Sequence, residues 1–246
     1  MCLMPPAAFI MLSIQNQVAV VTGAGRGIGR AIAVELARLG ARMALAARTR
    51  SELEDTARTI GSAAMAIPTD VGKKQDLQRL FEQVSAGIGP VDILVNAAGI
   101  GIFGPVVEFR DEDFENVIET NLRGIFFACR FVLPSMIQRR SGHIINIASI
   151  AGKVGSANRA VYCASKFGVV GFTESLAEEV RQYGIRASVI CPGSTDTWFS
   201  GETGGTTKAR ERMLRPEDVA HAIGMIVTQE PNSFISEIVM RPTQKP

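Results

Sequence analysis

The chain has 246 residues, of which 46% are hydrophobic and 20% are charged. This length and apolar content suit one α/β domain with a sizeable core, and they exclude a disordered chain. The formal net charge of +2 gives no dense positive field, so nucleic-acid binding is not expected. Four widely spaced cysteines and only two histidines argue against a disulfide framework, a metal site and a serine–histidine triad.

The first twelve residues are mostly apolar and precede the first predicted strand. They contain Pro5 and Pro6, have no basic region before the apolar run, and are too short to span a bilayer, which needs about 20 apolar residues. We expect a flexible extension over residues 1–12 and a single domain over residues 13–246. We also expect a cytoplasmic protein with no membrane association.

Short apolar runs alternate with longer amphipathic segments along the chain, which is typical of a parallel sheet flanked by helices. In the fourth helix Asp111 is expected to act as the cap, and Gly40 and Gly184 are expected to end two other helices. The expected fold is a single-domain, doubly wound Rossmann fold of the α/β class, with about seven parallel strands and helices on both faces. The strands are predicted at 18–22, 43–46, 64–67, 92–95, 143–149, 186–191 and 235–240, and the helices at 28–39, 53–60, 73–86, 111–139, 161–182 and 216–227.

A glycine-rich turn joins the first predicted strand to the first helix. A turn without side chains lets a pyrophosphate approach the backbone, and the helix N-terminus adds free N–H groups and a partial positive charge. Glycines also serve any tight turn, but between a strand and a helix of a βαβ unit they indicate dinucleotide binding. The candidate residues are Gly23, Gly25, Arg26, Gly27, Ile28 and Gly29.

The end of the second strand bears on which nicotinamide cofactor is bound. An NAD-binding unit carries an acidic residue about twenty positions after the glycine turn, where it binds the ribose hydroxyl. Here the strand runs into Arg48, with no acid. Arg48, assisted by Arg26, can bind a 2′-phosphate through charged hydrogen bonds. The alternative is that Arg48 and Arg50 are solvated residues at a helix start. The pattern favours NADP(H) over NAD(H).

Tyr162 and Lys166 are four residues apart and therefore share one face of a predicted helix. A nearby ammonium stabilises a phenolate, which would lower the tyrosine pKa from about 10 and let the phenol exchange a proton with a carbonyl or alcohol oxygen. Ser149, at the carboxyl end of a strand, can hydrogen-bond the same oxygen. Alone, such a pair or such a serine is more often structural, but behind a dinucleotide turn the combination favours catalysis.

These motifs together resemble the short-chain dehydrogenase/reductase family. The resemblance rests on the Thr-Gly-x-x-x-Gly-x-Gly spacing, the segments 96–99 and 162–166, and the pair Pro192 and Gly193, and it extends over about residues 17–240. It implies that Asn121 holds a water linked to Lys166, and that Lys166 also binds the nicotinamide ribose. It further implies cofactor contacts from Asp70, Val71, Asn96, Ala97, Gly99, Tyr162, Pro192, Gly193 and Thr195, and a catalytic set of Asn121, Ser149, Tyr162 and Lys166.

The resemblance implies an NADP(H)-dependent oxidoreductase that transfers a hydride between nicotinamide and a ketone or secondary alcohol, with Tyr162 as acid and base. The implied branch is that of 3-oxoacyl-acyl-carrier-protein reductases or 3-hydroxy acid dehydrogenases. Pro134 and Glu178 stand where carrier-docking relatives have arginines, which argues against a carrier-bound substrate. The alternative is a redox-sensing protein that binds NADP without turnover, but such proteins often lack the tyrosine or the lysine.

The polar, glycine-rich stretch at 195–212 is expected to be a substrate lid. Trp198 and Phe199 would either cover an apolar substrate or anchor the lid on the core. Cys163 and Cys191 are expected to be core residues rather than nucleophiles, and no metal is expected. The resemblance also implies a homodimer or homotetramer that pairs two long helices, for which five phenylalanines are available: Phe126, Phe127, Phe131, Phe167 and Phe172.

Overall fold

The computed structural model describes residues 12–61, 64–197, 199 and 207–244. The predicted extension, apart from Leu12, lies outside these residues, and so do Trp198 and much of the predicted lid. Leu12 donates its backbone N–H to the carbonyl of Thr228 at 2.9 Å.

Seven parallel strands form one sheet in the order β3-β2-β1-β4-β5-β6-β7. The order reverses at β1, which pairs with β2 on one side and β4 on the other. Ligands of doubly wound sheets bind at such a reversal, outside the carboxyl ends of the strands. The predicted fold class is therefore confirmed. The strands are β1 Val18–Thr22, β2 Arg42–Ala47, β3 Ala64–Pro68, β4 Ile93–Asn96, β5 Gly142–Ile147, β6 Ile185–Pro192 and β7 Glu237–Met240.

Helices cover both faces of this sheet, which explains why β1 is buried along its whole length and shows no polar alternation. On one face Leu36 of α1 and Ile223 of α8 belong to the same buried cluster. On the other face a second cluster joins Leu80 of α3, Met136 of α5 and Val169 of α6. The helices are α1 Gly27–Arg38, α2 Arg50–Ile60, α3 Lys74–Gly87, α4 Asp111–Ile118, α5 Gly124–Arg139, α6 Ala160–Val180, α7 Thr207–Arg210 and α8 Pro216–Val227.

The single helix predicted at 111–139 is wrong in two respects. A turn of π-helix over Glu119–Arg123 separates α4 from α5. Asp111 is the first residue of α4 rather than its cap, because Arg110 occupies the capping position and offers no side-chain bond. Asp111 instead places a negative charge in the first turn, where it interacts favourably with the positive amino end of the helix dipole. Hydrophobic spacing cannot reveal a single π-helical turn, since the apolar face continues on either side of it.

The termini of two predicted helices agree with glycine conformations. α1 ends at Arg38, and Gly40 beyond it has a φ of +97°, so the chain turns there in a conformation that favours glycine. After α6 a short 3₁₀ turn over Arg181–Tyr183 leads to Gly184, whose φ is +70°. Both glycines therefore stop a helix as the sequence predicts.

His143 lies in β5 with 2% of its surface exposed. Its Nε2 is 3.0 Å from the Ser188 hydroxyl, which in turn donates to the carbonyl of Ile235 at 2.7 Å. Nδ1 of His143 has no hydrogen-bond partner among the described residues. Burial, with the guanidinium of Arg186 as a smaller cause, holds the pKa of His143 well below its usual value of about 6.5. The folded chain therefore keeps this imidazole neutral.

The depressed pKa of His143 predicts a loss of stability in mild acid. Below about pH 6.5 the unfolded chain binds a proton at this residue that the folded chain does not, so the free energy of unfolding should fall by up to about 1.4 kcal/mol per pH unit from this group. His143→Gln removes the effect. Urea unfolding measured between pH 7 and 5 should therefore show a shallower decline for this variant than for the wild type.

The other histidine provides the matched control for this experiment. His221 is exposed on α8, and His221→Gln should leave the acid dependence of unfolding as it is in the wild type. Identical slopes for wild type and His143→Gln would contradict the role assigned to the buried imidazole.

Candidate active site

The glycine turn after β1 folds back against the segment that follows β4. Gly23 has a φ of +69°, and a Cβ placed on it would lie 2.9 Å from the Cα of Ala98. A Cβ on Gly29 would collide with the carbonyl oxygen of Gly23. The Thr22 hydroxyl accepts the N–H groups of Ala97 and Ala98 at 3.1 and 3.2 Å, which ties the two segments together. The tight turn therefore requires glycine at positions 23 and 29.

The amino end of α1 faces the crevice at the strand reversal. Arg26 occupies the capping position and provides no side-chain hydrogen bond. The N–H groups of the first turn have no acceptor within a helix, so Gly27, Ile28 and Gly29 present donors and a partial positive charge. A pyrophosphate fits such an end.

The charged residues around the predicted adenosine end differ in how they are paired. Arg26 lies 3.7 Å from Glu52, and Arg50 lies 3.8 Å from Glu54. Arg48, directly after β2, is exposed and forms no ion pair with any described residue. The Asp70 carboxylate accepts the N–H of Gly72 at 3.0 Å, and Val71 beside it is buried. Arg48 is therefore available to an anionic ligand.

Tyr162, Lys166 and Ser149 come together at the carboxyl end of β5. Tyr162 and Lys166 lie on α6 with 7% and 4% exposure. The Lys166 ammonium is 5.9 Å from the centre of the Tyr162 ring and donates to the carbonyl of Ile147 at 2.9 Å. The Ser149 side chain lies beside the Tyr162 phenol and favours its ionised form, and the Ser149 hydroxyl accepts the N–H of Ala151 at 3.1 Å. The structure therefore brings three of the four predicted catalytic side chains together at the carboxyl end of β5.

The direction of the Tyr162 pKa differs from the sequence-based expectation. Burial raises it above its usual value of about 10, while the Ser149 hydrogen bond and the charge of Arg159 act the other way. Burial also lowers the pKa of Lys166, to about 8. The expected lowering of the Tyr162 pKa by Lys166 is wrong for the protein without a ligand. The phenol loses its hydration there, and the ammonium donates to the carbonyl of Ile147 instead. At neutral pH the phenol is protonated.

Asn121, the fourth predicted catalytic residue, connects the loop after β4 to α6. Its amide oxygen accepts the N–H of Ile100 at 2.8 Å, and its amide nitrogen donates to the carbonyl of Ile100 at 2.9 Å and to the Ser165 hydroxyl at 3.1 Å. Ser165 donates to the carbonyl of Tyr162 at 2.7 Å. The side chain of Asn121 thus positions the helix that carries Tyr162. Sequence reasoning missed Ser165, although it follows Tyr162 by three residues and so lies on the same helical face.

Gly99 leaves room beside the lysine. A Cβ at this position would lie 3.3 Å from the amide oxygen of Asn121 and 3.6 Å from the ammonium of Lys166. Below it, Asn96 is buried and donates to the side-chain oxygen of Asn146 at 2.9 Å. A side chain at position 99 would crowd the Lys166 ammonium, which donates one hydrogen bond to a described residue and keeps hydrogens for a ligand such as the ribose of a nicotinamide nucleotide.

The segment after β6 lies over the glycine turn. Gly193 donates to the carbonyl of Met240 at 2.8 Å, and the Thr195 hydroxyl donates to the carbonyl of Gly193 at 3.0 Å. A Cβ on Gly27 would lie 3.2 Å from the methyl group of Thr197. Pro192 is the last residue of β6. The predicted contacts Pro192, Gly193 and Thr195 therefore lie on the same side of the crevice as the helix end.

Two phenylalanine rings flank Tyr162 at the mouth of this site. The ring of Phe103 meets Tyr162 edge to face at 5.5 Å, and the ring of Phe199 lies 5.8 Å away at 57°. A Cβ on Gly101 would lie within 2.7 Å of both phenylalanine rings. Phe199 is 39% exposed, so it lies above Tyr162 rather than in the core. No sequence pattern singled out Phe103, because it lies in a loop without periodicity.

The remaining candidates behave as small core residues. Cys163 and Cys191 are buried as predicted, and burial raises the pKa of the Cys191 thiol to about 11.

Within the described ranges, no group of three or more histidine, cysteine or acidic residues is placed to hold a metal ion. No described helix is both long and apolar enough to cross a bilayer.

A family model described as short chain dehydrogenase matches residues 17–207. The chain belongs to the short-chain dehydrogenase/reductase family. Enzymes of this family are oxidoreductases that act on small molecules with a nicotinamide cofactor.

Named relatives cover nearly the whole chain. An uncharacterized oxidoreductase of Staphylococcus aureus is 33% identical over 94% of this chain and 100% of its own. A metagenomic short-chain oxidoreductase solved in complex with NADP is 39% identical over 95% of this chain and 100% of its own, with a TM-score of 0.83. The 3-ketoacyl-(acyl-carrier-protein) reductase of Brucella melitensis, solved with NADH, is 29% identical over 93% and 97%, with a TM-score of 0.86. This chain is similar to each of them.

The collision at Gly29 predicts that an added methyl group disrupts the turn. Gly29→Ala should lower the free energy of unfolding by about 1–3 kcal/mol, because the Gly23 carbonyl must shift, and it should weaken cofactor binding. Gly171 is also helical, in α6, but a Cβ there meets nothing within 4 Å. Gly171→Ala is the matched control and should stabilise the fold by about 0.5–1 kcal/mol.

Thermal unfolding and fluorescence titration with NADPH measure both effects of these alanine variants. Wild-type cofactor affinity in the Gly29→Ala variant would contradict the close approach of the turn to its ligand.

Proposed function

We propose that the protein is an NADP(H)-dependent oxidoreductase that transfers a hydride between nicotinamide and a ketone or secondary alcohol. The observation that carries this proposal is the buried phenol of Tyr162, with Ser149 beside it and the ammonium of Lys166 5.9 Å from its ring centre, in a chain that also has an uncapped helix end after β1. A phenol, a hydroxyl and an ammonium in this arrangement suit proton transfer to a carbonyl oxygen.

Each residue has a separate task in this proposal. The cofactor, when bound, supplies the hydride chemistry at nicotinamide C4. Tyr162 donates its phenolic proton to the substrate oxygen during reduction, and its raised pKa keeps that proton in place at neutral pH. Ser149 holds the same oxygen beside the phenol. Lys166 donates one hydrogen to the Ile147 carbonyl and uses the others to bind ribose hydroxyls next to Gly99.

In this proposal Asn121 holds other groups in place and does not itself react. Its side chain holds the loop at Ile100 against Ser165, so the phenol-bearing helix and the floor of the crevice keep one relative placement. The predicted link through water from Asn121 to Lys166 stays a prediction.

A redox sensor without turnover is the competing function. A sensor needs the nucleotide-binding turn but has no use for a buried phenol beside a serine hydroxyl at the nicotinamide end. Burying the tyrosine hydroxyl and the lysine ammonium costs free energy, so their retention favours catalysis.

Substituting the phenol hydroxyl tests the enzyme proposal directly. Tyr162→Phe removes only one oxygen atom and should lower kcat for ketone reduction by at least about 100-fold, while the Kd for NADPH stays within about twofold. Tyr183→Phe is the matched control, because Tyr183 is the other tyrosine and lies in the 3₁₀ turn after α6. Full activity of the Tyr162→Phe variant with a panel of ketones would refute the assignment.

Preference for NADP(H) is supported by the exposed Arg48, which forms no ion pair with a described residue at the end of β2. A guanidinium recognises a 2′-phosphate, and the four residues directly after β2, at 48–51, include no acid to repel it. The metagenomic relative solved with NADP is consistent with this, whereas the Brucella relative was solved with NADH. The cofactors of these relatives therefore do not distinguish NADP(H) from NAD(H) for this chain, and the preference rests on its own residues.

Neutralising Arg48 tests the cofactor preference. Arg48→Gln should raise the KM for NADPH by about tenfold or more, the loss expected for a charged hydrogen bond of about 1.5–3 kcal/mol, and leave the KM for NADH nearly unchanged. Arg50→Gln removes the same charge two residues later, where Glu54 already neutralises it, and serves as control. An equal effect of Arg48→Gln on the KM for NADPH and for NADH would show that Arg48 does not bind the 2′-phosphate.

The same proposal includes a cytoplasmic homodimer or homotetramer. Phe126 on α5 and Phe167 on α6 are 42% and 46% exposed, which is unusual for rings of this size. Phe127, Phe131 and Phe172 are only partly buried against the core. Covering these rings in an assembly would remove apolar surface from water.

A further inference from the structure

Two cations lie on the chain between β5 and α6, and they differ in their surroundings. Lys153 is neutralised by Glu237 at 2.8 Å, with Glu174 at 4.0 Å. Arg159 is exposed and forms no ion pair with a described residue. It precedes Tyr162 by three residues. Arg159 has no role in the proton transfer proposed for Tyr162.

Arg159 is held in place beside the active site. Its guanidinium carbon lies 4.8 Å from the centre of the Phe103 ring, and that ring contacts Tyr162 at 5.5 Å. A backbone hydrogen bond of 2.8 Å from Gly104 to the carbonyl of Asn158 joins the two loops at the residues next to Phe103 and Arg159. The Phe103 ring therefore contacts both the Arg159 guanidinium and the Tyr162 ring at the mouth of the site.

The charge of Arg159 also reaches the reacting group. It favours the ionised form of the Tyr162 phenol, against the larger effect of burial. A cation close enough to act on the phenol through space also attracts an anion bound next to the phenol. Stacking on an aromatic face leaves the edge of a guanidinium free to donate two parallel hydrogen bonds, the geometry that a carboxylate accepts.

We propose that Arg159 binds the carboxylate of the substrate, so that the ketone reduced beside Tyr162 is an oxo acid and the alcohol formed is a hydroxy acid. The reacting oxygen lies between Tyr162 and Ser149, the short carbon chain crosses the face of Phe103, and the carboxylate pairs with Arg159. This assignment rests on the proposed function and adds a substrate class to it. Arg159 determines specificity and takes no part in the chemical step.

Matched pairs of substrates test this proposal. We would measure kcat/KM with NADPH for 3-oxobutanoate against pentane-2,4-dione, and for 4-oxopentanoate against hexane-2,5-dione, since each pair exchanges a carboxylate for a neutral acetyl group. Arg159→Gln should lower the ratio of acid to diketone at least tenfold, mainly through KM. Arg159→Lys should retain part of the ratio, because an ammonium keeps the charge but loses the planar fork.

Two controls separate substrate recognition from general effects of charge. Arg58→Gln removes an equally exposed arginine, which pairs with Asp55 on α2 in the other half of the sheet, and it should leave both substrate ratios unchanged. Added salt should raise the wild-type KM for the oxo acids but not that of Arg159→Gln, because screening weakens only the interaction with the guanidinium. Equal losses for acids and diketones, or unchanged ratios, would overturn the proposal.

A binding measurement distinguishes failure of this inference from failure of the proposed function. Butanoate, which has no reducible carbonyl, is titrated calorimetrically into the wild type and into Arg159→Gln, each saturated with NADP⁺. Absence of turnover with every ketone would refute the proposed function, and Arg159-dependent binding of butanoate would still support a carboxylate site. Turnover of ketones, together with butanoate binding that is equally strong in the wild type and in Arg159→Gln, would refute the carboxylate site alone.

Discussion

The buried ammonium of Lys166 is the constraint on which the rest of the site depends. A charged side chain with 4% exposure is costly, and no carboxylate among the described residues neutralises this one. Burial lowers its pKa to about 8, and one donated hydrogen bond to Ile147 compensates part of the cost. The protein therefore holds an electropositive, partly unsatisfied group next to a protonated phenol. A ligand that accepts the remaining hydrogens would complete this site, as the ribose of the proposed cofactor would.

The polar framework around this ammonium is made by residues that fix backbone positions. Asn121 holds Ile100 and Ser165, and Ser165 holds the backbone of Tyr162. Thr22 performs the same task between the glycine turn and the segment after β4. These bonds join the ends of β1 and β4 to the middle of α6. The crevice is therefore held by side chains that span elements far apart in sequence.

Most exposed arginines on the described helices are paired close by, as in Arg38 with Glu35 and Arg181 with Glu178. Such pairs contribute little to stability and mainly neutralise surface charge. Arg48 and Arg159 lie outside the helices and form no ion pair with a described residue; they lie on opposite sides of the strand reversal, after β2 and before α6. One guanidinium is thus available on the side of the crevice proposed for the cofactor phosphate and one on the side proposed for the substrate. Charge placed in this way would favour a phosphorylated cofactor on one side and an anionic substrate on the other.

The sequence by itself determined the sheet, the order of elements and the identity of the reactive groups. Apolar runs such as Val18–Thr22 are buried on both faces, so periodicity locates them, and glycines with positive φ at 40 and 184 mark helix ends without reference to the rest of the fold. Tyr162 and Lys166 were found because spacing within one helix is a local property. The turn at Gly23 and Gly29 was found for the same reason.

Only the tertiary structure decided how these groups behave. The π-helical turn contains Asn121, whose side chain bonds Ile100 and Ser165, and the raised pKa of Tyr162 follows from its burial, with Phe103 and Phe199 next to its ring. Contacts between residues separated by twenty or more positions leave no local periodicity. Hydration, which sets the pKa of a phenol or an ammonium, is likewise a property of the assembled crevice and not of any one segment.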